Sequence, residues 1–309
     1  MSTARGPLRL GTRKSLMATT QSGLVADALS QRTGLTVELV GVTTQGDVSK
    51  ALLAQIGGTG VFVNALRDRL LSGEVDFAVH SLKDLPTGPA EGIALAAIPA
   101  RDDPRDALCG PAKLADLPRG ARVGTGSPRR VAQLRALRPD LSIVPIRGNA
   151  DTRLRKVSDG ELDAVVLAYA GLTRIGRLAE VSEVFEPDQM LPAPGQGALA
   201  LECRADRTDL VELLAAVDDA PTRAAVTAER TVLAVLEAGC SAPVGTYAAE
   251  VEQKLHLTAN VVGTDGARQI RLSASGHPEK AEELGRDLAR RLLDQGADQL
   301  MGELDDEPR

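Results

Sequence analysis

Arginine recurs where strand-like stretches end. Arg13 stands beside Ser15 in "RLGTRKS", and Arg129 and Arg130 follow Ser127 in "RVGTGSPRR". Arg147 and Arg153 fall in "IRGNADTRLRK", together with Arg155, and Arg174 follows "LDAVVLA". A polar loop accounts for any one of these. Guanidinium groups repeated at strand exits, next to helix starts, make instead a site for a polyanion. Each charge-assisted hydrogen bond contributes about 1.5–3 kcal/mol, and the planar fork matches a carboxylate. Phosphate is the less favoured anion, because "QIGGTG" lacks the Gly-Lys-Ser/Thr ending of a phosphate loop.

Two further groups could do chemistry. "VHSLKDLP" sets His80, Lys83 and Asp84 directly after a strand. A carboxylate among arginines is held ionised, and it can stabilise a developing cation or move a proton. The plainer reading has Lys83 and Asp84 capping a turn and His80 as a hydrogen-bonded structural residue. "VLEAGCSAPVG" runs a helix-like stretch into Gly239 and places Cys240 beyond it, before Ser241 and Pro243. A thiol there is open to a ligand, since glycine admits close backbone approach; a reactive Cys240 and a spectator both fit. Cys109 and Cys203 lie in apolar runs and read as inert core thiols. Three widely spaced cysteines form neither a disulfide framework nor a zinc pattern, so no metal is expected.

The elements that must position these groups alternate strand and helix, the pattern of an α/β sheet. "LRLG" predicts a strand, Ser15–Gln31 a helix capped by Ser15, and "VELVGV" a second strand. A glycine-rich loop precedes a helix over Val61–Leu71, and "VDFAVHS" and "IALAAIP" predict strands. The rhythm resumes with "ARVGTG", a helix from Pro128, "LSIVPI", a helix from Asn149 and "LDAVVLA". "RLGTRKS" is similar to "RVGTGSPRR", and "SGEVDFAVHSLKDLP" to "DGELDAVVLAYAGLTRI", which suggests two related lobes with a ligand between them at the strand ends. "MLPAPGQGALALECR" suits a hinge, and "DDAPTR" marks a boundary before a helix over 222–237, the cysteine loop, three strands and an amphipathic helix from Glu279.

Composition narrows the partners. The formal net charge is −6 and aromatics are 2% of the chain, which argues against a phosphate-backbone binder and against base stacking. Only seven of the 36 basic side chains are lysine, a bias that suits carboxylate binding or simply a GC-rich genome. The sequence holds no apolar run long enough to span a membrane and opens on no signal-like segment, so a cytoplasmic protein is expected.

Together, "HSLKDLP", "GTGSPRR", "IRGNADTRLRK", "GLTRI", "PAPGQGALALE" and "AGCSAPVG" resemble, in order, the motifs of the porphobilinogen deaminase (hydroxymethylbilane synthase) family. The resemblance implies a transferase of tetrapyrrole biosynthesis. It condenses four porphobilinogens head to tail, releasing ammonia each time, and frees hydroxymethylbilane by hydrolysis. It implies a dipyrromethane primer bound by a thioether to Cys240, and a catalytic Asp84 that holds pyrrole N–H groups and stabilises an azafulvenium-like cation. Arg13, Arg129, Arg130, Arg147, Arg153 and Arg174, with Ser15, Lys83 and Ser127, match the carboxylate-binding positions, and Gln196 a hinge residue beside the site. Arg155 matches by spacing only and is taken as a surface residue.

The implied architecture is two periplasmic-binding-protein-like α/β lobes with a central cleft plus a small α+β C-terminal domain. The lobes take 1–100 with 196–217 and 101–195; the third domain, carrying the cysteine, takes 218–309. The implied molecule is a monomer that binds neither nucleic acid nor membrane. Thr59, Leu16, Thr20 and Ala238 depart from the family pattern without removing a reacting group. A two-lobed receptor for a small polyanion is the competing reading. It has no use for Cys240, whereas an effector domain of a transcription factor lacks a DNA-binding helix pair.

Overall fold

The structure is a computed structural model that describes residues 6–42, 60–239 and 242–302. In chain order its first part forms β1 (Leu8–Arg13), α1 (Leu16–Thr33), β2 (Val37–Val42), α2 (Gly60–Leu71), β3 (Phe77–Ser81) and β4 (Ile93–Ala97). Then follow β5 (Asp106–Cys109), β6 (Arg122–Thr125), α3 (Pro128–Leu137), β7 (Ser142–Pro145), α4 (Ala150–Ser158), β8 (Ala164–Ala168), α5 (Tyr169–Arg174) and β9 (Val181–Val184). The last part forms β10 (Leu199–Arg204), α6 (Thr208–Leu214), α7 (Ala220–Val235), β11 (Val244–Val251), β12 (Lys254–Val262), β13 (Gln269–Gly276), α8 (Ala281–Asp294) and α9 (Ala297–Gly302). The chain divides into two compact units: Met1–Arg101 with Ala198–Arg223, and Asp102–Gly197 with Ala224–Arg309.

The first unit is built on a sheet of order β2-β1-β3-β10-β4. β1 runs parallel to β2 and β3, while β10 is antiparallel to both its neighbours. One face buries Leu10, Val25, Leu29, Phe77, Leu201, Cys203, Leu210 and Leu214, supplied by the sheet, α1 and α6. The other packs Val42, Val75 and Ala78 against Leu66 and Leu70 of α2. Each such Leu contributes about 1.5–3 kcal/mol by leaving water. α1 starts where Ser15 accepts a bond from the Ala18 N–H at 3.3 Å. It runs two residues past the expected Gln31, because Gly34 (φ 72°) is the first residue free to turn left-handed and end it.

The second unit repeats this plan. Its sheet has order β7-β6-β8-β5-β9, with β6 parallel to β7 and β8, and β5 antiparallel to β8 and β9. β6 thus takes the place of β1, and β8 that of β3, as the sequence similarities suggest. The repeat extends to an ion pair. Asp76 accepts from the backbone and guanidinium of Arg9, and Asp163 does the same for Arg122. In each sheet the antiparallel strand is the one next to a crossing between units: β5 follows the first, β10 the second. The sequence reading has no counterpart of β9, whose four residues are all half-buried and so show no alternation. It takes 190–204 as a crossing while reading the run around Cys203 as strand-like, and Leu199–Arg204 is indeed a strand in the core.

The second unit also holds the antiparallel sheet β11-β12-β13, backed by α7 and α8 around Val232, Leu236, Leu257, Leu288 and Leu292. At Gly285 a Cβ would lie 2.4 Å from the Ala228 carbonyl, so only glycine lets α8 come this close to α7. The sequence reading runs α7 over 222–237; in the structure it spans Ala220–Val235. Glu237 takes the left-handed turn (φ 50°), its N–H bonding Ala234 O at 3.1 Å and the Ala238 N–H bonding Leu233 O at 3.1 Å. That bond pattern closes the helix even without glycine at the turn. No described helix is long and apolar enough to cross a membrane.

Candidate active site

In the second unit Arg129 and Arg130 occupy the first turn of α3, whose start is set by Pro128 behind Ser127. Both are buried and converge on Asp106, the first residue of β5, which has no exposed surface. Arg130 donates to Asp106 Oδ1 from Nη2 at 2.7 Å and from Nε at 3.1 Å. Arg129 Nη2 lies 2.7 Å from Oδ2. Gln196 Nε2 adds a bond to Oδ1 at 2.8 Å and one to Pro104 O at 2.7 Å. Burial alone would raise the Asp106 carboxyl, but the two guanidiniums and the bonds from Arg130 and Gln196 hold it well below the ordinary range. Burial pushes the Arg129 guanidinium down, and its Nε is buried without a hydrogen-bond partner. Asp106 carries no motif, and the sequence reading misses it.

The neighbouring arginines differ in their engagement. Arg153, on α4 behind its Asn149 cap, donates to Gly148 O at 2.9 Å, and burial followed by the nearby Arg130 charge pushes it down. Arg147 is exposed just beyond β7. Arg174 lies on the short helix α5 rather than directly at the end of β8. Its Nε bonds Asp102 at 2.7 Å and its Nη2 bonds Gly197 O at 2.6 Å. Ser127 caps α3 by backbone conformation, and its hydroxyl makes no capping bond. Arg155 is exposed and lines a separate cavity of about 870 Å³ with Cys109, Asn149, Leu154, Val157 and Glu180. That cavity is lined by none of the other candidate residues.

In the first unit the ends of β1 and β3 meet the start of α1. A pocket of about 250 Å³ there brings together Arg13, Ser15, Gln21, His80, Ser81 and Asp84. Lys83 and Asp84 form a single helical turn after β3, both half-buried. Behind the pocket, His80 Nε2 lies 3.2 Å from the buried Glu202 of β10, which also takes two bonds from Arg67 of α2 at 2.6 and 2.9 Å. Burial raises the Glu202 carboxyl, yet the bonds from His80 and Arg67 outweigh it and bring it to about 2. The sequence reading gives His80 a structural bond without naming Glu202, which stands among Leu199, Ala200, Leu201 and Cys203 of its strand.

Cys240 and Ser241 lie outside the described residues, as does Thr59. What leads to Cys240 is described. Glu229, fully buried in α7, accepts from the Gly195 N–H and the Ala248 N–H, each at 2.8 Å. The helix before the cysteine, the Pro/Gly segment and β11 are thereby tied together. The other two thiols are core residues, pushed up by burial to about 12 at Cys109 and about 11 at Cys203. Among the described residues no group of three His, Cys, Asp or Glu side chains could hold a metal.

Two arginines thus share one buried carboxylate at the start of α3, and the comparisons with known proteins give the chain its family. Residues 8–212 match the family model of the porphobilinogen deaminase, dipyromethane cofactor binding domain, and residues 223–294 that of the porphobilinogen deaminase C-terminal domain. Porphobilinogen deaminase of Thermobifida fusca is 64% identical over 96% of this chain and 96% of its own. Porphobilinogen deaminase 1 of Streptomyces coelicolor is 58% identical over 96% and 98%. Among solved structures, a periplasmic substrate-binding protein of an ABC transporter from Coxiella burnetii aligns with TM-score 0.43 and 14% identity over 68% of this chain and 91% of that chain. The chain belongs to the porphobilinogen deaminase family.

Proposed function

We propose that the chain is a hydroxymethylbilane synthase. It joins four porphobilinogens head to tail with loss of ammonia and releases the linear tetrapyrrole by hydrolysis. The observation that carries this reading is the buried cluster at Asp106 in a chain matched over most of its length to this family. Two guanidiniums share one carboxylate there, leaving a surplus of one positive charge and the unpartnered Arg129 Nε. A buried surplus of this kind calls for an anion. The acetate and propionate groups of a pyrrole chain supply it, so the residues present fit a dipyrromethane. When bound, that group supplies the pyrrole carbon on which the product is built.

The chain's own residues take these roles. Cys240 anchors the primer through a thioether. Arg129, Arg130, Arg147, Arg153 and Arg174, with Ser127, bind carboxylates from the second unit, and Gln196 steadies the cluster. Arg13, Ser15 and Lys83 do so beside Asp84. Asp84 accepts pyrrole N–H bonds and stabilises the cation left when ammonia departs, a task for which an ionised carboxylate is suited. The division into lobes 1–100 with 196–217 and 101–195, and a C-terminal domain 218–309, is part of this reading, as are a monomeric state and a cytoplasmic location. The gap between the two family matches, at 212 and 223, supports the last boundary.

Intact-mass measurement tests it. Wild type is expected to exceed its chain mass by two deaminated porphobilinogen units, Cys240→Ser to show the bare chain, and Asp84→Ala to keep the added mass but not turn over. A bare wild-type chain from cells that make porphobilinogen would overturn the reading.

A further inference from the structure

Arg129 is held from two sides. Its Nη2 lies 2.7 Å from Asp106 Oδ2, and its Nη1 donates to Leu191 O at 2.5 Å. The guanidinium therefore stands only as firmly as the Leu191 carbonyl does. Leu191 is fully buried and precedes Pro192 in a stretch outside any helix or strand. Its N–H and C=O have no ladder to join, and a buried peptide group left without partners is costly.

Gln133 supplies both partners. It stands one turn after Arg129 on α3, so the two side chains share a face of the helix. Its Oε1 accepts from the Leu191 N–H at 2.8 Å, and its Nε2 donates at 3.0 Å to Leu191 O, the same carbonyl that Arg129 uses. We infer that Gln133 is a positioning residue for Arg129: by clamping the Leu191 backbone at both its donor and its acceptor, it sets where the guanidinium meets a carboxylate of the pyrrole chain. The inference rests on the proposed condensation chemistry and adds a residue to it.

The residue type fits the task. A carboxamide carries a donor and an acceptor on one group and adds no charge. A methionine of similar length would leave both Leu191 groups unmet. A glutamate would accept from the Leu191 N–H, but it would turn an oxygen toward Leu191 O and offset the surplus positive charge at Asp106. The clamped segment also meets the C-terminal sheet. The Thr246 N–H of β11 donates to Pro192 O at 2.9 Å. A Cβ on Gly245 would lie 2.8 Å from Leu191 Cβ and O and 3.3 Å from Gln133 Nε2, so glycine there lets the start of β11 close on the clamp. Gln133 thus stands between the arginine cluster and the strand that follows the Cys240 loop.

The test uses the full-length chain made in cells that cannot supply porphobilinogen, so that primer loading is followed by intact mass once porphobilinogen is added. Gln133→Met and Gln133→Glu are compared with wild type at a temperature where circular dichroism shows each folded. Both are expected to gain the primer about tenfold or more slowly, the effect of one misplaced charge-assisted hydrogen bond. The Arg129 Nε–H, buried and without a partner, serves as the NMR reporter, and its signal should be displaced in both variants. Wild-type loading in both, or slow loading with the Arg129 signal unmoved, would overturn the inference and leave Gln133 a structural residue. If Gln133→Met does not fold, Gln133→Glu decides, since it keeps the acceptor for the Leu191 N–H; failure of both to fold overturns the inference as well. A wild type that gains no primer fails the function itself, a result distinct from these outcomes.

Discussion

Three buried acceptors, Asp106, Glu202 and Glu229, organise the charged interior, and each gathers donors from distant parts of the chain. Glu202 gives a measurable consequence. Its carboxyl lies at about 2 in the fold against an ordinary 4.5. The sign follows from linkage: a lowered value stabilises the fold above about pH 4.5, and that contribution drains away as pH falls toward 2. Glu202→Gln is therefore expected to be less stable than wild type at pH 7 by about 3 kcal/mol, because Arg67 is left buried without its anion. Denaturant unfolding should show the gap closing between pH 4.5 and pH 2. A gap independent of pH would mean that the carboxylate charge is not what holds the cluster.

Among elements, the segments that cross between units are the most constrained. Gly197 adopts φ +86°, and a Cβ on it would lie 2.5 Å from the Asp102 carbonyl. Its own carbonyl accepts from Arg174 Nη2 at 2.6 Å and from the Asp102 N–H at 3.3 Å. Gly197→Ala should cost about 1–3 kcal/mol of strain and displace Gln196 from Asp106. Lower thermal stability together with reduced primer loading by intact mass would be the signature; wild-type values for both would show that the junction adapts. Most elements were legible from pattern alone. Ser15 marks the start of α1, Asn149 that of α4, and the apolar runs mark β3 and β8. The end of α7 was not, because a left-handed Glu237 is set by the packing around it rather than by its residue type.

On the scale of the whole molecule, the repeat of one sheet plan is the dominant feature, and the paired Arg9–Asp76 and Arg122–Asp163 bridges mark it. Asp76 is the more buried of the two carboxylates, with 14% of its side chain exposed against 37% for Asp163. Asp76→Ala should thus cost more than Asp163→Ala. Because the bridges belong to different units, the double variant should lose the sum of the two within about 0.5 kcal/mol. A larger departure in equilibrium unfolding would show that the units do not carry these bridges independently.

The sequence by itself determined the alternation of elements, the internal repeat and the family. These follow from local spacing, where periodicity, caps and motifs are written in neighbouring residues. Tertiary structure decided what those residues face. Asp106 meets Arg130 across 24 positions and Gln196 across 90, and Glu202 meets Arg67 across 135. Such pairings depend on which strands the crossovers make adjacent. A lone acidic residue in a mostly apolar strand becomes the centre of a charge cluster only once the sheet has closed around it.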